Sequence, residues 1–455
     1  MRRFILYAVF VIFIIAGHLD AKVIYHDYPR ICPRSNEFKV RINDDDVVVY
    51  HTSAGDFLSF ESDSAVSVEV EWPKPIENIS VLPRRLGIKP EISGHVLKFT
   101  LPEFEKVLIE TEERKQLFIY ANKIQKDKPD PYADGVRYFK SGQVYEVGTL
   151  RLQNNETLYI EGGAVVRGCL IATSAKNIRI EGTGVLDGGY YSNYNEHSHF
   201  VRFEDCQNVM INDIIMIEPP GWMVVLYHCK DVKIDNIKQI SDGHGTDGID
   251  IVTTHHVRIN NCMLRNGDDC IVAKSFVSER YSEPTLNTHE GVNDILATGC
   301  SVQANGGGQA FEIGHELRID PVRNIRFIDC DVLGVHGQGG VFGIHNCDGA
   351  TVSDVRYENI RVDHYYNKLI DMRIIKSRWS REKRVGYVKN IVLKNIRVTN
   401  SIYNPGYSIS LIGGYDDDHM VENVKIEDFY IDDKKITNTD QLDLFLKQTK
   451  HVVIK

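Results

Sequence analysis

One short phrase recurs along most of this chain: a polar residue, a β-branched alternation, then Asn or Asp and a further alternation. Copies begin at Asn177-Ile-Arg-Ile180, Asn208-Val-Met-Ile211, Asp231-Val-Lys-Ile234 and His256-Val-Arg-Ile259, and return at Asn324, Asn390 and Asn423. The first four start 31, 23 and 25 residues apart. Strict alternation marks a strand with one buried face. Recurrence at such a period marks a stacked repeat. The strands are short, punctuated by Asn, Asp and Gly, with no helical stretch between them, which argues against a helix-connected α/β sheet. The pattern predicts an all-β chain whose main part is a right-handed parallel β-helix, each coil burying its inner face on its neighbours.

The phrase is missing from the first third. Between about Lys22 and Tyr132 the strand-like pieces are separated by turns, which predicts a small antiparallel β-sandwich. The polar, proline-containing Lys126-Asp-Lys-Pro-Asp-Pro131 marks the boundary. The predicted organisation is a signal peptide over 1–21, a sandwich over 22–132 and the β-helix over 133–455. The leader reading rests on Met1-Arg2-Arg3, the apolar run from Phe4 to Gly17 and Ala21 as the cleavage point. That run is shorter than the ~20 apolar residues of a spanning helix. It implies a secreted or periplasmic protein with no stable membrane association once the leader is removed.

The net charge of −10 gives no reason to expect nucleic acid as a partner. Of the nine Cys, Cys206, Cys229, Cys262 and Cys330 fall at similar places in successive repeats, as small core residues would. His197, His199, His336 and His345 are scattered, and the His and Cys spacing fits no zinc site. No Gly-rich phosphate loop is present, and no cofactor or metal is expected.

Two acidic motifs stand one coil apart, Gly245-Thr-Asp-Gly248 and Asn266-Gly-Asp-Asp-Cys270. On a β-helix, Asp247, Asp268 and Asp269 would crowd one patch. Crowded carboxylates raise one another's pKa, and glycoside hydrolysis uses such groups. A non-enzymatic β-helix could use the same residues as turn caps or to bind a cation. Asp250 reads as inward or structural.

Over roughly Tyr138 to Val398 the chain resembles the polygalacturonase family, glycoside hydrolase family 28. The likeness starts at Gly162-Gly-Ala-Val-Val-Arg-Gly168 and Gly182-Thr-Gly-Val-Leu-Asp-Gly188. It is strongest at His244-Gly-Thr-Asp-Gly-Ile-Asp250 and the Asn266 motif. The resemblance implies an inverting hydrolase of a pectic or related polysaccharide, with Asp268 as general acid and Asp247 and Asp269 activating water. Gly245 stands where the family has Asn. The family's Gly-His-Gly histidine falls on Gln309 by counting and on His315 by residue type, with Glu312 and Glu316 beside it. Its Arg-x-Lys clamp is matched loosely by Arg373-Ile-Ile-Lys376. Arg373, Lys376 and Arg378 belong to a basic stretch that could be a solvated loop or a clamp for an anionic sugar. His244 is a further candidate for substrate contact. Tyr190, Tyr191, Tyr194 and Trp379 could stack on sugar rings, while Trp222 reads as core.

The N-terminal sandwich is similar to that of the dextranase-like enzymes of family 49, which act on neutral α-glucans. A β-helical polysaccharide lyase and a non-catalytic carbohydrate-binding β-helix are two further readings of the same residues.

Overall fold

The computed structural model describes residues 22–111, 113–189, 199–277, 290–401 and 409–455. The leader reading of residues 1–21 and the candidates Tyr190, Tyr191, Tyr194 and His197 lie outside the described residues. Among the described residues no helix is long and apolar enough to cross a membrane.

From Val136 onward the strands join in one 30-stranded sheet. Most strands pair with the third strand along, in parallel, so three strands make one coil and the next coil stacks on it. This is a parallel β-helix. The recurring phrase is one wall of it. Its first residue is a corner: Asn177, Asn208, Asp231, His256, Asn324, Asn390 and Asn423 all have φ between 55° and 59°. Asn and Asp enter the left-handed region at least cost among residues with a Cβ. Their side chains also bond coil to coil, as in Asn208 Nδ2 to Asn177 Oδ1 at 2.7 Å and Asn390 Nδ2 to Asp354 Oδ1 at 3.0 Å.

The residue after each corner points inward. Ile178, Val209, Val232, Val257, Ile295, Ile325, Val355, Ile391 and Val424 stack in register as one buried column. Cys206, Cys229, Cys262 and Cys330 are buried in the same core, and none of the nine Cys forms a disulfide. An aromatic stack closes one stretch of it, with Phe327 and Tyr357 at 5.2 Å between ring centroids and Phe311 and Phe327 at 4.6 Å.

Ahead of the helix lie two sheets. One holds five antiparallel strands, in the order Asp45–Val47, Lys39–Ile42, Val66–Glu71, Val96–Leu101, Glu91–Ser93. The other holds six strands and departs from the antiparallel expectation at one pair. Gln116–Lys123 runs parallel to Gly55–Ser62. A parallel pair needs a long crossover, and Val66–Glu71, Glu91–Ser93 and Val96–Leu101 of the five-stranded sheet lie within it.

Tyr28, Phe57, Phe118 and Tyr120 from the N-terminal segment pack on Val165, Val185, Ile215, Ile240, Met263 and Leu333 of successive coils. Polar ties flank this contact. Lys106 Nζ donates to Asn236 and Asn261 Oδ1, both at 2.9 Å, and Lys238 Nζ donates to Asn122 Oδ1 at 2.5 Å.

Phe327→Ala should empty the centre of the aromatic stack and cost about 3–5 kcal/mol. A lower denaturant midpoint at unchanged m-value is the expected reading.

Candidate active site

One column of strands forms the floor of an open cleft. It runs through Trp222–Tyr227, Ile249–Val252, Ile271–Ser275, Phe311–Leu317, Gly340–Asn346 and Lys368–Ile374. Alternation sends one set of residues into the core and the other toward the cleft. The register aligns Asp250, Val272, Glu312, Gly343 and Asp371 across the outer face, with Lys274, His345 and Arg373 two residues further along their strands. The turns entering these strands carry the acidic motifs.

Asp247 ends the loop before Ile249–Val252, and Asp268 and Asp269 occupy the turn before Ile271–Ser275. The coils are knitted together here. Gly248 N–H donates to the Asp269 carbonyl at 2.7 Å, and Gln309 N–H donates to Asp269 Oδ1 at 2.7 Å. Asp268 accepts from Gly245 N–H at 2.9 Å and from Asp269 N–H at 3.1 Å. Two glycines make this approach possible. A Cβ on Gly308 would lie 2.0 Å from the Asp268 carbonyl carbon, and one on Gly267 would lie 2.2 Å from the Gly243 carbonyl oxygen.

The cleft encloses a cavity of about 790 Å³. His244, Asp247, Asp268, Asp269, Gln309, His315, Glu316, Arg373 and Arg378 all line it, so most of the residues singled out from sequence converge. Both candidates for the histidine position, Gln309 and His315, are present at the wall. Asp268 is partly exposed, whereas Asp247 and Asp269 are buried behind it.

Three expectations are corrected. Lys376 does not face the cleft. It lies past the strand end at Ile374, an odd step from Arg373, and its Nζ donates to the Cys347 and Glu382 carbonyl oxygens at 3.2 and 3.1 Å. Glu312 lies on the outer face but is fully buried, with His345 Nδ1 bonded to its Oε1 at 2.8 Å. It therefore cannot touch substrate directly. Trp222 is not core. It lines the cavity, half-buried, and stacks on His199 with ring centroids 5.1 Å apart.

The residue that sequence reasoning missed is Lys274. Its buried Nζ donates to Asp247 Oδ2 at 3.0 Å and to Asp250 Oδ1 at 2.6 Å, and lies 3.6 Å from the Trp222 ring centroid. The signal was available: one cation within Ile271-Val-Ala-Lys-Ser275, directly after the acidic pair. Burial pushes the Asp247 carboxyl up to about 6, against the pull of Lys274 and with the help of Asp268. Burial also raises Asp269 well above the carboxylate range, reinforced by Asp247 and Glu312. Lys274 remains an ammonium because Asp247 and Asp250 outweigh its burial.

A second network lies further along the floor. Asp371 sits between Arg373, Lys368 and His345, with N–O distances of 2.6, 3.3 and 3.3 Å. Burial opposes charge on His345, but Glu312 and Asp371 on either side push its pKa up to about 9. Glu312, His315 and His345 also bring one ligand atom each within 4.8 Å of one another, a set able to hold a metal ion.

A parallel β-helix with a floor of crowded carboxylates is the class of protein the fold and site define. Residues 138–402 match the model of Glycosyl hydrolases family 28, and the chain belongs to that family. It is 22% identical to a polygalacturonase of Gossypium barbadense over 246 residues, 50% of this chain and 56% of that one. It is 30% identical to endopolygalacturonase A of Aspergillus niger over 136 residues, 29% of this chain and 31% of the other. The chain thus spans about half the length of the first of these relatives. Among solved structures, Dex49A from Penicillium minioluteum aligns over 96% of this chain and 98% of its own, with a TM-score of 0.71 at 14% identity. The polygalacturonase from Erwinia carotovora ssp. carotovora aligns over 73% of this chain and 95% of its own, with a TM-score of 0.50 at 15% identity.

Lys274→Met should raise the pKa of Asp247, because the ammonium that favours its carboxylate form is gone. If Asp247 acts ionised, the acid limb of the kcat/KM profile should move to higher pH.

A raised histidine pKa stabilises the fold fully below about 6.5, and that stabilisation is lost as pH rises through about 9. Paired stability measurements across this window should show wild type losing on the order of 3 kcal/mol more than His345→Asn.

Proposed function

We propose that this chain is an exported, inverting glycoside hydrolase that cleaves a pectic or related polysaccharide. The observation that carries the reading is the arrangement of three carboxyls at the floor of an open cleft, with Asp268 partly exposed and Asp247 and Asp269 buried behind it. Asp268 is the group a glycosidic oxygen can reach, and it donates the proton to the leaving group. Asp247 and Asp269 hold and activate the water that attacks from the opposite face of the sugar. Lys274 keeps Asp247 available as a carboxylate. Trp222 and Trp379 line the cleft that receives the sugar, and the leader over 1–21 directs export. The polygalacturonase relatives support a pectic substrate.

One observation favours a second reading, a hydrolase of neutral α-glucans. Lys274, Lys368 and Arg373 already pair with carboxylates of the protein. Among the described residues lining the cleft, Arg378, stacked at 4.7 Å over Trp379 on the rim, is the cation left for a substrate carboxylate.

The test is a product assay on purified protein against pectic polymers and α-glucans, with proton NMR of the first anomer released. Inversion is expected, and Asp268→Asn should abolish turnover while preserving the melting temperature. Retained configuration, an unsaturated product or near-normal turnover by folded Asp268→Asn would each refute the assignment.

A further inference from the structure

The N-terminal sheets meet the helix on the wall next to the cleft, and one contact reaches the acidic loops. Arg265 immediately precedes Asn266-Gly-Asp-Asp269, so its backbone leads directly into the acidic pair. Its carbonyl accepts from Ser241 N–H at 2.9 Å. Its buried guanidinium donates back to the Ser241 carbonyl and lies 3.5 Å from Asp242 Oδ1. Ser241 begins the loop that ends in Asp247. Within that loop Gly245 N–H donates to Asp268 Oδ2 at 2.9 Å, and Thr246 Oγ1 accepts from Gly267 N–H at 3.1 Å. Arg265 therefore ties the turn carrying Asp268 and Asp269 to the loop carrying Asp247.

The guanidinium is in turn held from outside the helix. Gln116, the first residue of the strand Gln116–Lys123, accepts from Arg265 Nε at 3.2 Å. Gln116 Nε2 donates to Glu110 Oε1 at 2.6 Å and to Gln303 Oε1 at 3.0 Å. Both Gln116 and Arg265 are buried. A long cation held at Nε and Nη1 by two acceptors has little rotational freedom left. Without Gln116, Nε is left buried and unpaired, which costs more than the bond itself is worth. The side chain then has reason to leave Ser241.

We infer that the N-terminal sandwich completes the catalytic site: Gln116, acting through Arg265, is a positioning residue that sets the Asp247 loop against Asp268. The inference rests on the catalytic roles proposed above for these carboxylates. It predicts that a substitution outside the β-helix alters turnover without altering substrate contacts, because neither Gln116 nor Arg265 lines the cleft.

The experiment compares Gln116→Leu, Arg265→Lys, Lys106→Met and Asp268→Asn in the full chain, on the substrate found in the polysaccharide panel. Lys106→Met removes a tie of the same sandwich that reaches the Asn236 and Asn261 corners instead of the acidic loops. Gln116→Leu should lower kcat about tenfold or more at nearly constant KM, since small displacements of catalytic groups are costly. Arg265→Lys keeps the charge, loses the fork and should show the same split. Lys106→Met should lower the melting temperature and leave kcat per folded molecule unchanged. Wild-type kcat in both Gln116→Leu and Arg265→Lys, beside an inactive Asp268→Asn, would overturn the positioning role alone. An equal kcat loss in Lys106→Met would also overturn it, because general loosening of the sandwich would then suffice. An active Asp268→Asn would remove the catalytic reading and this inference together.

Discussion

Everything in this protein depends on the register of one coil on the next. Strands of successive coils pair in parallel along nearly the whole helix. Side-chain amides at the corners fix where each coil begins. A slip of one residue would exchange the inward column for the outward one. Ile271 and Ala273 would then face the cleft, and Lys274 would enter the core. The same register that buries the valine and isoleucine columns therefore also places the chemistry. Stability and site geometry are not separate properties here, because one ladder supplies both.

The cleft floor carries charges that a simple core would not tolerate. Asp247, Asp250, Glu312, Asp371, Lys274 and His345 are all buried. An isolated buried charge is strongly unfavourable, and breaking one partner of a buried pair leaves the other exposed to that penalty. Each of these groups is answered within one coil spacing: Lys274 by Asp247 and Asp250, and His345 by Glu312 and Asp371. Asp269 is answered by the backbone N–H of Gln309 rather than by a cation bonded to it. Burial accordingly acts hard on its carboxyl. The site thus sorts nearby carboxyls by what each one faces.

Much of the architecture was legible because the repeat phrase encodes a corner and two inward positions in fixed order. Asn177 and its equivalents needed a left-handed backbone, and Asn and Asp supply it, so the phrase could be recognised before its cause was known. The acidic trio was legible because two motifs stood one coil apart. Lys274 was not, because a cation in a short apolar strand is ambiguous until the neighbouring coil puts Asp247 and Asp250 against it. Trp222 and Glu312 were misplaced for the same reason, since exposure at a strand end is decided by the coil above. Lys376 was included as a loose match to the Arg-x-Lys clamp, although the odd step from Arg373 already implied the opposite face. The parallel pair in the N-terminal sheet depends on a crossover through the other sheet, which local alternation does not reveal.

The buried thiols have a chemical consequence of their own. Burial pushes Cys169 up to about 12 and Cys347 up to about 11, and holds Cys262 and Cys270 well above the usual thiol range. Only a thiolate attacks a disulfide or an oxidant readily, so the folded chain keeps these sulfurs inert even in an oxidising medium. Once unfolded, the same thiols regain an ordinary pKa and meet one another freely. Wrong disulfides would then form and could not be packed back between the coils. Under oxidising conditions the lifetime of this protein is therefore governed by how rarely it opens, and reductant would turn that one-way loss into a reversible one.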